Sequence, residues 1–151
     1  MRRKNIGKIA LGSQVDVTDP CYDKDVWCRM NAVKIKPGNY DCNIWISKEK
    51  TWGERVGVIG VYLDGNVPSR RSMERIGSIG VDAGMAGFFH NKPDYDDEQW
   101  EALCDATCGD AKAWITSDGF FSESGFGDGE YNVYAQKNKD GDIVAIEIAF
   151  M

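Results

Sequence analysis

No stretch of this sequence approaches the run of ~20 apolar residues that a membrane-spanning helix requires, so neither a helical membrane protein nor a membrane partner is expected. The basic start, Met-Arg-Arg-Lys-Asn-Ile-Gly-Lys, has no apolar segment behind it and does not read as a secretory signal. Positive charge is in short supply: 18 Lys and Arg stand against 24 Asp and Glu, for a net charge of −6. A surface that tracks the phosphates of DNA or RNA needs a basic field, so a nucleic-acid polymer is not an expected partner. There is one histidine, His90, and neither a C-x-x-C pair nor a G-x-S-x-G elbow. The cysteines, at 21, 28, 42, 104 and 108, are odd in number and irregularly spaced. With no export signal, they read as free thiols in a reducing compartment, and the protein as soluble and cytoplasmic. A zinc site would have to be assembled from these scattered cysteines and His90, so no metal and no cofactor are expected.

What is present suffices for one domain, residues 1–151, with 1–12 expected as a loosely held N-terminal segment. A chain of this length buries roughly 70% of its unfolded surface. Hydrophobic residues make up 42% and aromatic ones 11%, and 17 glycines are spread along the chain rather than pooled in a linker. That distribution suits a β-rich protein with many turns.

Alternation marks the strands. In "KPGNYDCNIWIS" a Pro-Gly turn leads into Tyr40, Cys42, Ile44 and Ile46 on one face, and "ERVGVIGVYL" pairs with it across "KEKTWG". "SQVDVTDP" is a short strand stopped by Asp19-Pro20, and "AKAWITSDGFF" is another. "IGSIGVDAGMAGFF" (76–89) reads as one buried strand that bends at its glycines. The plainest hairpin is the last: 130–137, the turn Asn138-Lys139-Asp140-Gly141, then 142–150 with Val144, Ile146, Ile148 and Phe150 on one face. One helix is predicted over 96–109, with Trp100, Leu103, Cys104, Thr107 and Cys108 as its apolar stripe. Six or seven strands and one amphipathic helix predict a mainly β (α+β) fold. It would be an antiparallel sandwich or a strongly curved sheet with the helix packed on it.

Gly125-Phe126-Gly127-Asp128-Gly129 invites a functional reading. A dinucleotide cradle needs a helix after the glycines, and "EYNVYAQK" is strand. A calcium loop needs oxygen ligands at alternate positions, and Glu123, Asp128 and Glu130 lack that spacing and a closing helix. The segment is expected to be a tight turn with a positive φ at one glycine and Asp128 accepting hydrogen bonds from neighbouring backbone N–H groups.

The stretch "SGFGDGEYNVYAQKNKDGDIVAIEIAF" resembles the C-terminal signature of a family of bacterial and phage proteins described as a domain of unknown function, number four-two-four-one. "GSQVDVTDP", "KPGNYDCNIWI" and "IGSIGVDAGMAGFF" are similar to other segments of that family in the same order, with Ala83 where serine is usual. The resemblance covers roughly residues 13–150. It implies a shared fold and a place among phage or mobile-element proteins, and supplies no chemistry.

These segments contain Asp19, Asp82 and Asp128, each at a strand end near Pro or Gly. Such aspartates cap turns through their own side chains, and if the three ends meet they could also bind a ligand or metal, or act as acid and base. Arg70, Arg71 and Arg75 fall in the loop "DGNVPSRRSMER" and are the candidate anion site. The expected function is a non-enzymatic binding module for a small ligand, an anionic one included, or for a partner protein. The first alternative is a phage-type sponge that sequesters an anionic nucleotide signal on the arginine loop, in a homo-oligomer with the pocket between subunits. The second is a hydrolase working through the aspartates.

Overall fold

The computed structural model describes all 151 residues. It contains eleven strands: β1 Arg2–Leu11, β2 Gln14–Thr18, β3 Met30–Lys34, β4 Gly38–Glu49, β5 Gly53–Leu63, β6 Glu74–Val81, β7 Met85–Phe89, β8 Ala113–Ile115, β9 Gly119–Glu123, β10 Gly129–Lys137 and β11 Ile143–Ala149. A helix, α1 (Asp97–Ala106), lies between β7 and β8, and a single 3-10 turn covers Arg70–Ser72. The strands form two antiparallel sheets, one in the order β1-β4-β5-β11-β10-β6, the other β3-β2-β7-β9-β8. The mainly β sandwich expected from the sequence is the architecture found.

The inner faces follow from the alternation. Tyr40, Cys42, Ile44 and Ile46 of β4 are all buried, as are Ile59 and Val61 of β5, and they meet Val15, Val17, Phe88 and Phe120 of the second sheet in one core cluster. Each fully buried aliphatic or aromatic side chain of this kind contributes roughly 1.5–3 kcal/mol of hydrophobic stabilisation. The outer face of the larger sheet is also closed at its centre. There Tyr62 is buried, its hydroxyl accepting from Trp45 Nε1 at 3.1 Å and donating to the buried Glu147.

Four expectations need correction. Residues 1–12 are not loosely held, because β1 pairs along its length with β4, from Arg2↔Ile46 to Leu11↔Gly38. Its lysines, arginines and bulge at Asn5/Gly7 suit a sheet edge exposed to water. Segment 76–89 is two strands in different sheets, since the chain turns at Asp82-Ala83-Gly84 and crosses from β6 to β7. Segment 111–121 is likewise divided between β8 and β9, a short hairpin. In β11 a register shift at Gln136/Lys137 brings Ile143 rather than Val144 into the core with Ile146, Ile148 and Phe150.

The helix is shorter than predicted. Asp96 caps it in a reciprocal box with Gln99, and of the proposed stripe only Leu103 is buried, against Phe89 and Phe121. Thr107 is the C-cap and Cys108 lies exposed beyond it.

Registers place several connections at one end of the sandwich. The β4–β5 tip, the start of β1, the β6–β7 turn, the end of β2 and the β9–β10 loop all gather there. The candidate site is built at this end.

Candidate functional site

The chain stops β2 at Asp19-Pro20, and Asp19 is fully buried. Its Oδ1 accepts from the backbone N–H of Cys21 at 2.8 Å. Its Oδ2 accepts from Asp82 N–H at 2.8 Å and from Ala83 N–H at 2.7 Å. Asp128 Oδ1 takes the next donor, Gly84 N–H, at 3.0 Å. Three consecutive amides of the β6–β7 turn therefore point at two carboxylates from distant parts of the chain. Gly84 holds φ +69, a left-handed conformation that side-chain-bearing residues adopt at a cost.

The structure gathers the three aspartates at one turn, a meeting the sequence left open, and their roles differ. Asp19 and Asp128 cap the turn. The exposed Asp82 offers its side chain to solvent. The hydrogen bond of Asp128 reaches across the end of the sandwich rather than to a sequence neighbour. Gly127 has the expected positive φ, +109, and its carbonyl accepts from Ser124 Oγ and Tyr131 OH, each at 2.7 Å. Glu123 pairs with Lys112 at 3.4 Å and Glu130 accepts from Ser78 Oγ at 2.9 Å, so these two and Asp128 turn to separate partners rather than to one ion. No three His, Cys, Asp or Glu side chains are arranged to hold a metal ion.

The arginine site does not assemble. Arg75 lies in β6 rather than in the loop, and its Nε donates to Asn132 Oδ1 at 2.9 Å. Arg70 stacks over the Trp45 ring, 5.4 Å from its centroid, and Arg71 is exposed. None of the three lines either of the hollows beside Asp19 and its turn.

Two hollows flank the Asp19 knot. The first, about 430 Å³, has a floor of Ile79, Gly80 and Val81 from β6, a wall of Tyr22, Trp27 and Cys28, and Ser78 and Glu130 at its polar rim. The second, about 500 Å³, is bordered by Cys21, Asp23, Asp82, Asp96, Asp97, Tyr95 and Trp100. Neither contains a lysine or arginine.

The wall of the first hollow is braced. Arg29, buried within the 19–29 loop, donates from Nη1 to Tyr22 O at 2.8 Å and from Nε to Asn31 Oδ1 at 2.6 Å. Its Nη2 sits 3.1 Å from Asp16 Oδ2, an ion pair whose angle falls short of a hydrogen bond. Gly80 N–H donates to Cys28 O at 2.8 Å, docking the loop on β6. Yet Trp27, carried by this fixed loop, remains 92% exposed. Sequence reasoning missed Trp27, Tyr22 and Arg29. The available signal was a lone Trp close behind the charged run Asp23-Lys24-Asp25.

Burial, followed by the negative charges of Asp19 and Asp82, pushes the Cys21 thiol far up, so it stays protonated. Burial and the neighbouring Cys28 raise Tyr22 likewise. His90 lies elsewhere, in a hollow with Asp16, Lys24 and Asn31 and no cysteine. No helix is long and apolar enough to cross a membrane. The chain matches no protein-family model, no curated protein and no solved structure.

Proposed function

We propose that this protein is a non-enzymatic binding module whose ligand sits in the first hollow, against Trp27. One observation carries the reading: an almost fully exposed indole held on a loop braced by a buried arginine. Aromatic surface kept in water by a rigid frame loses no further loop entropy when a ligand covers it. The chemistry of the walls selects the occupant. Tyr22 and Trp27, over the β6 backbone at Ile79–Val81, suit a flat apolar body, while Glu130 and Ser78 suit a donor group. With Glu130 at the rim and no lysine or arginine in the lining, a neutral or cationic ligand is favoured over a phosphate-bearing one. This argues against the nucleotide sponge at this site. The hydrolase reading loses support because two of its three carboxylates are occupied by backbone amides. The cytoplasm remains the proposed compartment, with all five cysteines as thiols.

The test is saturation-transfer NMR with tryptamine, adenosine and AMP, on the parent protein and on Trp27→Ala. The reading expects tryptamine or adenosine to bind, AMP to bind more weakly than adenosine, and Trp27→Ala to abolish the signal. Tighter binding of AMP, or a Trp27→Ala protein that binds as the parent does, would refute it.

A further inference from the structure

At the same end of the sandwich, the side away from the acidic hollow has a different character. The β4–β5 tip presents Trp52, 61% exposed, and the β9–β10 loop presents Phe126, 51% exposed. The two rings meet edge to face, 6.1 Å between centroids. The loop carrying Phe126 is held rigid from behind. Gly125 has φ +65, and a Cβ there would come within 2.8 Å of Val56 O, so this turn admits glycine alone. Met1 and Met151, both exposed, come together nearby over Gly57.

Around this aromatic tip lies a collar of positive charge. β1 begins beside the hairpin, with Arg2 opposite Ile46 and Arg3 opposite Trp45, and the exposed Lys48 and Lys50 follow Ile46 toward the tip, with Arg55 opposite Ser47. Glu54 pairs with Arg2 at 3.3 Å, which leaves Glu49 as the remaining acid of these two segments beside Arg3, Lys48, Lys50 and Arg55, while Glu123, Asp128 and Glu130 around the Phe126 loop turn to Lys112, Gly84 N–H and Ser78. The Arg55 guanidinium lies 5.9 Å from the Trp52 ring centroid. The β9–β10 loop divides the end: Phe126 leans on Trp52, while Asp128 faces the acidic turn at Gly84.

We propose that the Trp52–Phe126 tip docks on an anionic lipid surface. Aromatic rings at the ends of rigid loops can enter the headgroup boundary, where amphipathic aromatics are favoured, while a surrounding basic collar is drawn to acidic lipids. Charge complementarity selects this occupant. A second copy meeting the tip face to face would bring two basic collars together. The lack of a long apolar run, which excludes a spanning helix, does not bear on two rings at a loop tip.

Co-sedimentation with vesicles tests this, using phosphatidylcholine alone and phosphatidylcholine with phosphatidylserine. Binding is expected only with phosphatidylserine present, weakening as salt rises. Trp52→Ala with Phe126→Ala should lower it by about tenfold or more, as should Lys48→Glu with Lys50→Glu. All four side chains are exposed, and unchanged urea midpoints will confirm that the variants fold. The proposal is overturned by absence of binding to the acidic vesicles, by equal binding to neutral ones, or by tip variants that bind as the parent does. Concentration-dependent dimerisation that the aromatic variant abolishes, without vesicle binding, would assign the tip to self-association instead.

Discussion

Replacing Asp19 by alanine removes the one side chain that ties the end of β2 to the β6–β7 turn. Its carboxylate accepts three backbone N–H groups at 2.7 to 2.8 Å, the range of charge-assisted bonds. Hydrogen bonds to a charged group contribute roughly 1.5–3 kcal/mol each, so three would sum to about 4.5–9. The donors are only partly buried, and water can reach some of them once the side chain is gone. Bonds sharing one acceptor group are also not additive. Discounting for both, Asp19→Ala should cost about 3–5 kcal/mol, a large share of the roughly 5–15 that a domain of this kind possesses. Asp19→Asn keeps one acceptor oxygen but turns an NH2 toward an amide donor, and should cost about 2–4 kcal/mol. Urea unfolding followed by tryptophan fluorescence measures both, with an unchanged slope marking a change of stability rather than of compactness. A loss below ~1 kcal/mol for Asp19→Ala would refute the claim that this carboxylate holds the end of the sandwich together.

Ile146→Ala, at a fully buried position in the centre of the larger sheet, should open a cavity and cost about 2–4 kcal/mol in the same assay; a loss under ~0.5 would show the side chain faces elsewhere. Asp128→Asn retains the oxygen that meets Gly84 N–H at the surface and should shift the midpoint by less than ~1 kcal/mol, whereas Gly125→Ala should cost more than ~2. Native alkylation followed by mass spectrometry should modify the exposed Cys108 first and the core Cys42 last; equal rates would contradict its burial. Burial pushes the Cys42 thiol from 9.0 up to about 12 and the Tyr40 hydroxyl from 10.0 up to about 12. The unfolded chain therefore ionises first as pH rises, so their contribution is complete below pH 9 and is lost between about 9 and 12. Urea midpoints should fall over that window, and Cys42→Ala should flatten the fall.

The strands that sequence exposes most clearly are those with one wet and one dry face. Tyr40, Cys42, Ile44 and Ile46 alternate with polar neighbours, and the structure buries all four. Segment 76–89 was misread because both of its strands carry glycines among apolar residues, and no period records a crossing between sheets. What divides it is the Asp19 carboxylate, sixty-three residues away, bonded to the amide of Asp82. Turn-capping by Asp19 and Asp128 was legible because an Asp at a strand end bonds backbone amides; that the two would serve one turn was not, because their amide partners lie far off in sequence. The arginines were not, because charge proximity in sequence says nothing of Trp45 and Asn132, which arrive from other strands. Exposure of Trp27 and Trp52 was invisible for a similar reason: tryptophan carries no local mark of whether the fold will cover it.

The order of strands in the larger sheet also bears on how the chain reaches this structure. β4 and β5 are a local hairpin, and so are β10 and β11, but the seam between them, Ala145↔Tyr62 to Ala149↔Val58, joins segments far apart in sequence. Five strands of sequence, β6 to β10, and the helix lie between the two edges of that seam. Hairpins close in about 1–10 μs, whereas bringing distant edges together first requires the entropy of closing the whole intervening loop. Both hairpins can therefore form early as separate pieces, while the β5–β11 seam, like the β6–β10 and β2–β7 pairings, must wait for long-range closure. Until it closes, each hairpin presents an unpaired edge with an apolar face behind it, the kind of surface on which nascent chains aggregate.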